Sequence, residues 1–143
     1  MTDIYVVGFD GTPHSQRALD YAVARARKSG AQLHLVNVLE WSAYSFHTPE
    51  ELAERHGRRE QELARANDTL QPVVDKLTAD GLNVTSEVRH GHAGELICKI
   101  TEEKKAAQIV IGRTGESLLA LRLLGGLALT LAQVAPVPVT IVP

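Results

Sequence analysis

The chain has 143 residues, of which 44% are apolar and 22% charged, with a formal net charge of −2. That length supports one domain, residues 1–143, with a full core, but not two comfortable ones. The charge balance excludes a general electrostatic pull toward nucleic acid or anionic membrane.

Ile4–Phe9 is an apolar run without alternation, which suits a strand covered on both faces. Asp10-Gly11-Thr12-Pro13 is turn chemistry. Ser15, Ala18, Leu19, Ala22, Val23 and Ala26 then fall on one helical face, and Gly30 is a natural stop. Gln32–Val38 reads as a second strand, which completes a βαβ unit with a right-handed crossover. The loop Leu39–Thr48 carries Trp41, Tyr44 and Phe46. Its rings either pin the loop to the domain or form a lid beside a ligand.

Pro49 suits a first helical turn, and the spacing predicts a helix from Glu50 to about Ala79. Its apolar line is Leu52, His56, Leu63, Ala66, Leu70, Val73 or Val74, and Leu77, with Gly57 and Pro72 as points where it bends or splits. The mixed-sign cluster around His56, Arg58 and Glu60 reads as a solvated helix face. Asn83–Arg89 alternates as a strand with one wetter face, near a sheet edge. After a turn at His90–Gly94, Ala93, Leu96, Ile97 and Ile100 mark a helix ending in Glu102–Lys105. Ile109–Ile111 is a short buried strand, Leu127–Ala135 a final helix, and Val137–Val142 a last strand whose Pro138 keeps its beginning out of mid-ladder. Strands alternating with helices call for a parallel α/β sheet with helices on both faces. A ligand belongs beyond the strand C-termini, where strand order reverses.

Ser117–Ala135 approaches the length of a short membrane span, but Arg122, Gln133 and the Gly125-Gly126 pair argue against one. It reads as two short apolar pieces with some surface left for a partner. The N-terminus lacks a basic region followed by a long apolar stretch, so no signal peptide is expected. Cys98 is the one cysteine, which excludes an intrachain disulfide and fits a reducing compartment; it reads as a small buried residue on a helix.

Chemistry concentrates at two places. Asp10 closes the first strand, where its carboxylate serves as an Asx turn or cap, or accepts hydrogen bonds from a sugar hydroxyl or base amine. Thr12 is a cap or a phosphate contact. The stretch Ile109–Gly126 runs from a strand into Gly112, Gly115, Gly125 and Gly126, whose uncovered backbone N–H groups suit a phosphate. It is not a P-loop, since no Lys-Ser/Thr pair follows, and it is not the dinucleotide fingerprint, which follows a first strand. His90 and His92 lack further ligands at a zinc spacing, His34 reads as a core or sheet-face residue, and no nucleophile elbow is present.

VVGFDGTPHSQRAL, LHLVNV and IVIGRTG…GG…APVPVTIV, in that order, resemble the universal stress protein family over nearly the whole chain. Gly112, Gly115 and Gly125 match the G-x2-G-x9-G spacing of its nucleotide-binding branch. The resemblance implies strand order 3-2-1-4-5 and an ATP or related adenine-nucleotide site, with magnesium as a candidate companion. Asp10 would contact the nucleoside and Val38 the adenine ring. Ile111 and Gly112 would flank ribose and phosphates, and Gly115, Gly125, Gly126 and Leu127 would cradle the phosphates. It also implies a cytoplasmic stress-response regulator and a homodimer joined through Val137, Val139 and Ile141. The pattern's final Ser or Thr is Gly126 here, which removes a hydroxyl worth about 1.5–3 kcal/mol. Glu116 adds a negative charge that Arg113 and Arg122 could offset. The competing readings are a non-nucleotide interaction protein, working through Leu118–Leu131 on a regulatory partner, and a slow ATP hydrolase, for which only Asp10 speaks.

Overall fold

The computed structural model describes residues 2–40, 48–113 and 126–143. In chain order these form β1 (Ile4–Gly8), α1 (Pro13–Ser29), β2 (Gln32–Leu39), α2 (Pro49–Ala79), β3 (Val84–His90), α3 (Ala93–Lys104), β4 (Gln108–Gly112), α4 (Leu127–Val134) and β5 (Val139–Val142). The strands make one parallel sheet in the order β3-β2-β1-β4-β5. The chain winds outward from β1 to β3, crosses back, and winds outward again through β4 to β5. Strand order therefore reverses between β1 and β4.

Alternation along the strands divides the core in two. Tyr5, Val7, Leu33, Leu35 and Val110 face α1 and α2, packing on Leu19, Ala22, Leu70 and Leu77. Val6, Val36, Ile109 and Ile111 point the other way, onto Ile97 and Ile100 of α3 and Leu131 of α4. Both faces of the central strands are covered, which is why β1 and β4 read as unbroken apolar runs.

Local chemistry sets the helix ends. Thr12 caps α1 by accepting from the Ser15 N–H, Pro13 occupies the first turn, and Gly30 closes the helix at φ +77°. Thr48 and Glu51 form a reciprocal capping box on α2. This helix does not split: it runs unbroken through Gly57 and Pro72. Leu70 and Leu77 are buried on either side of Pro72 and hold that segment to the sheet. Asp68, whose carbonyl loses its partner to the proline, is exposed to water.

Three expectations need correction. The apolar line of α2 starts at Ala66, not Leu52: no residue of the helix before Ala66 is buried among the described residues, and Leu52 is exposed. The first half is instead a solvated face, with His56–Glu60 and Arg58–Glu54 pairs at i,i+4. His90, expected in a turn, ends β3 opposite Leu39. β5 begins at Val139 rather than Val137, because Pro138 has no N–H to give; it enters the pairing only through its carbonyl, which accepts from the Ile109 N–H at 3.0 Å.

β3 is an edge strand, as its wetter face suggested. Its Thr85 and Glu87 side chains enclose His34 of β2, which is 3% exposed. His34 Nδ1 lies 2.6 Å from the Thr85 hydroxyl and Nε2 2.6 Å from Glu87 Oε2. An ionised carboxylate only accepts, so Nε2 carries the proton and Nδ1 accepts from Thr85. Arg89 pairs with both Glu87 and Glu103 and completes the network.

Candidate nucleotide site at the switch point

A cavity of about 370 Å³ opens where strand order reverses, beyond the C-terminal ends of β1, β2 and β4. Each strand delivers a different part of its wall. β1 and the turn after it contribute Gly8, Phe9 and Asp10, and the first turn of α1 adds His14 and Ser15. β2 and its end contribute Val36, Asn37, Val38 and Glu40, backed by Ala93 and Ile97 of α3. Ile111 and Gly112 of β4, with Leu127 of α4, form the remaining side. The described walls mix apolar side chains with the polar Asp10, His14, Ser15, Asn37 and Glu40.

Asp10 is held by a compact turn. Its Oδ1 accepts from the Thr12 backbone N–H at 3.0 Å and from the Thr12 hydroxyl. The Asp10 N–H donates to Ser15 Oγ at 3.3 Å, and Ser15 Oγ donates to the Thr12 carbonyl at 2.9 Å. The Thr12 proton is directed at Asp10, so His14 Nε2, 3.0 Å from Thr12 Oγ1, acts as a donor. Burial pushes the Asp10 carboxyl up. The hydrogen bonds from Thr12, together with the neighbouring Ser15 hydroxyl and His14, outweigh it and hold the group below the ordinary aspartate value. Asp10 is thus an ionised acceptor on the cavity wall as well as an Asx turn; the two readings of the sequence are compatible.

Gly112 is needed for a close approach. A Cβ there would stand 2.1 Å from the His14 carbonyl oxygen. The end of β4 therefore lies directly against the first turn of α1, and any larger residue would push them apart. Gly126 is the N-cap of α4 at φ +32° and, being a glycine, brings no side-chain cap of its own. Its first turn begins at Leu127, on the cavity wall, so the N-terminal end of the α4 dipole lies beside the cavity.

The structure brings together Asp10, Val38, Ile111, Gly112 and Leu127. Thr12 and Gly126 stand next to the wall as helix caps rather than on it. Arg113 is exposed and off the wall, its backbone N–H donating to the Val142 carbonyl at 2.8 Å, which extends the β4–β5 pairing. Gly115, Gly125, Glu116 and Arg122 lie outside the described residues, as does most of the aromatic loop. His14, Asn37 and Glu40 are wall residues that sequence reasoning missed. His14 carried a signal, at two residues beyond Thr12 in a first helical turn. Glu40 carried one too, at the i+2 position from Val38, which puts both on one side of the strand end.

Cys98 is half-buried on α3 against the second core, its Sγ 3.9 Å from the Val134 carbonyl. Burial, helped by the Glu102 charge, raises its pKa, so it is a poor source of thiolate. Among the described residues no helix is long and apolar enough to cross a membrane.

The sequence matches the family model described as "Universal stress protein family" over residues 1–143. A universal stress protein of Mycobacterium tuberculosis is 26% identical over 96% of this chain, which covers 47% of that protein; the chain spans about half the length of the curated relatives it matches. Among solved structures, universal stress protein UspA from Lactobacillus plantarum superposes with a TM-score of 0.82 at 22% identity, covering 99% of this chain and 97% of that one. A universal stress protein in complex with cAMP superposes with a TM-score of 0.67 at 26% identity, covering 99% and 97%. One from Archaeoglobus fulgidus in complex with dAMP gives 0.61 at 20% identity, covering 100% and 98%. With the family matched along its whole length and the five-stranded order β3-β2-β1-β4-β5 in place, this chain belongs to the universal stress protein family.

Proposed function

We propose that this protein binds ATP or a related adenine nucleotide in the cavity at the β1/β4 switch point, and acts as a stress-response regulator in the cytoplasm. The observation that carries this reading is the convergence of Asp10, Val38, Ile111, Gly112 and Leu127 on one cavity of about 370 Å³. Val36, Val38 and Ile97 offer apolar walls to a planar base. Asp10 offers a charged acceptor to a ribose hydroxyl, and the start of α4, whose N-cap is a glycine, offers N–H groups and a favourable dipole to phosphate. Gly115 and Gly125 are assigned to the same phosphate cradle on their spacing from Gly112. The cAMP-bound and dAMP-bound relatives support an adenine ligand.

The test is calorimetric titration of nucleotide-free protein with AMP, cyclic AMP, ADP and ATP, with and without magnesium. Micromolar binding that Asp10→Ala weakens by tenfold or more supports the reading. Absence of binding by any of the four, in calorimetry and in equilibrium dialysis, overturns it.

A second reading, an interaction protein working through a homodimer, is favoured by exposed apolar side chains at one edge. Leu129 and Val134 of α4 are 55% and 59% exposed, and Ile141 on the edge strand β5 is 40% exposed. Val137 and Val139 are partly buried against the chain's own second core, so Ile141 is the residue of the three with most surface to offer a partner subunit. In its full form this reading leaves the cavity without a nucleotide; no β5 residue lines the cavity, so the edge can be tested separately.

A further inference from the structure

The side of the cavity built by β2 and α3 has an unusual composition. Among the described residues, Val36, Val38 and Ile97 make it apolar, Asn37 is its one neutral polar side chain, and Glu40 brings a negative charge. The described lining residues include two carboxylates, Asp10 and Glu40, and no lysine or arginine. Glu40 is exposed at the end of β2, and among the described residues its Oε1 accepts one long hydrogen bond, 3.4 Å, from the Ala93 N–H at the start of α3. A carboxylate there works against an anionic group on this side. It also occupies the first turn of α3, which would otherwise attract phosphate. What the carboxylate can favour is a hydrogen-bond donor on an otherwise apolar, flat ligand.

We infer that Glu40 is a specificity-determining residue of this cavity, accepting a hydrogen bond from the exocyclic amine of the nucleobase and so orienting the ligand base-first toward β2. The inference rests on the nucleotide reading proposed above. The 6-amino group of adenine is a donor of the required kind, and the apolar walls on either side suit the ring faces. The weak bond to Ala93 is exchanged for a shorter one to the ligand, and Ala93 N–H returns to water. Asp10, on the β1 side, is then left for the ribose. The two carboxylates therefore read different parts of one ligand, and the anionic end is directed away from both, toward α4.

The experiment compares AMP with purine riboside 5′-monophosphate, which differs only in lacking the 6-amino group. Binding of each is measured to the wild type, Glu40→Ala and Glu40→Gln, with thermal denaturation of all three as a control for folding. The wild type is expected to prefer AMP by about tenfold or more, as befits a hydrogen bond to a charged group. Glu40→Ala is expected to bind the two ligands equally, and Glu40→Gln, which keeps an acceptor without the charge, to retain part of the preference. If the wild type prefers AMP and Glu40→Ala keeps the same ratio, the inference is overturned and the nucleotide reading stands. Tighter AMP binding by Glu40→Ala with an unchanged ratio also overturns it, and makes Glu40 an excluder of anions. Binding of neither ligand to the wild type overturns the nucleotide reading and the inference with it.

Discussion

The α-carbon of Gly112 and the backbone carbonyl of His14 are in such close contact that a Cβ on Gly112 would stand 2.1 Å from the His14 oxygen. This contact joins the end of β4 to the first turn of α1, and so closes one side of the cavity. Gly112 is therefore a packing residue whatever it does for a phosphate. Gly112→Ala is expected to destabilise the protein by about 1–3 kcal/mol, the range for forced overpacking, and Gly112→Val by more. Urea denaturation midpoints check this. An unchanged midpoint for Gly112→Ala would show that the two segments part without cost.

Thr12 both caps α1 and holds Asp10. Thr12→Ala should cost about 1 kcal/mol of stability through the lost cap. It should also let the Asp10 pKa rise, because burial is no longer opposed by the Thr12 hydroxyl. The shift is read by carboxyl-carbon NMR titration of the wild type and the variant. An Asp10 midpoint that does not move would put the depression elsewhere than in Thr12.

His34 makes stability depend on pH. Its pKa is lowered, chiefly because burial disfavours the charged ring, an effect that the hydrogen bond and charge of Glu87 only partly offset; Lys104 and Arg89 add to the lowering. Between the folded and unfolded pKa values the unfolded chain binds more protons, so stability rises with pH there. The contribution is complete above the unfolded value of about 6.5 and is lost progressively as pH falls below it, by at most about 1.4 kcal/mol per pH unit. Urea denaturation of the wild type and His34→Gln between pH 8 and pH 5 checks this. The wild type should lose stability relative to the variant as the pH drops; parallel curves would mean His34 titrates alike in both states.

Gly126 is more than a missing hydroxyl. At φ +32° its backbone takes a conformation that residues with side chains rarely adopt. Gly126→Ser is expected to lower the stability of the free protein by about 1 kcal/mol, within the range for a strained backbone. On the nucleotide reading it should also raise the affinity for ATP relative to AMP by about tenfold, through the added phosphate donor. Calorimetry with both nucleotides reads this ratio, and an unchanged ratio would remove residue 126 from the phosphate site.

Ile141 tests the β5 edge. Ile141→Asp places a charge on an exposed apolar position of an edge strand. If β5 joins two subunits, sedimentation should give a dimer for the wild type and a monomer for the variant, with the fold retained in circular dichroism. A wild-type monomer at tens of micromolar would rule out that interface.

What the sequence by itself determined is local. Apolar runs without alternation announced β1 and β4. The spacing of Ala18, Leu19, Ala22 and Ala26, with Thr12 before and Gly30 after, announced α1 nearly to the residue. Pro138 announced that this strand's beginning lies outside mid-ladder, although the strand itself starts two residues later than its apolar run. These signals live in backbone geometry and in hydrogen bonds spanning a few residues, so the chain carries them wherever it goes. The strand order was legible only by resemblance to a family. The tertiary structure decided which strand ends meet, and hence that His14 and Glu40 join Asp10 around one cavity. It decided that Gly112 must be small because of His14, some 98 residues away. It also decided that the first half of α2, though it repeats its apolar residues like a buried helix, extends past the sheet and buries nothing before Ala66 among the described residues. Periodicity records that a face could be buried. Whether it is buried depends on what the crossovers bring beside it, and that is set by the packing of the whole sheet.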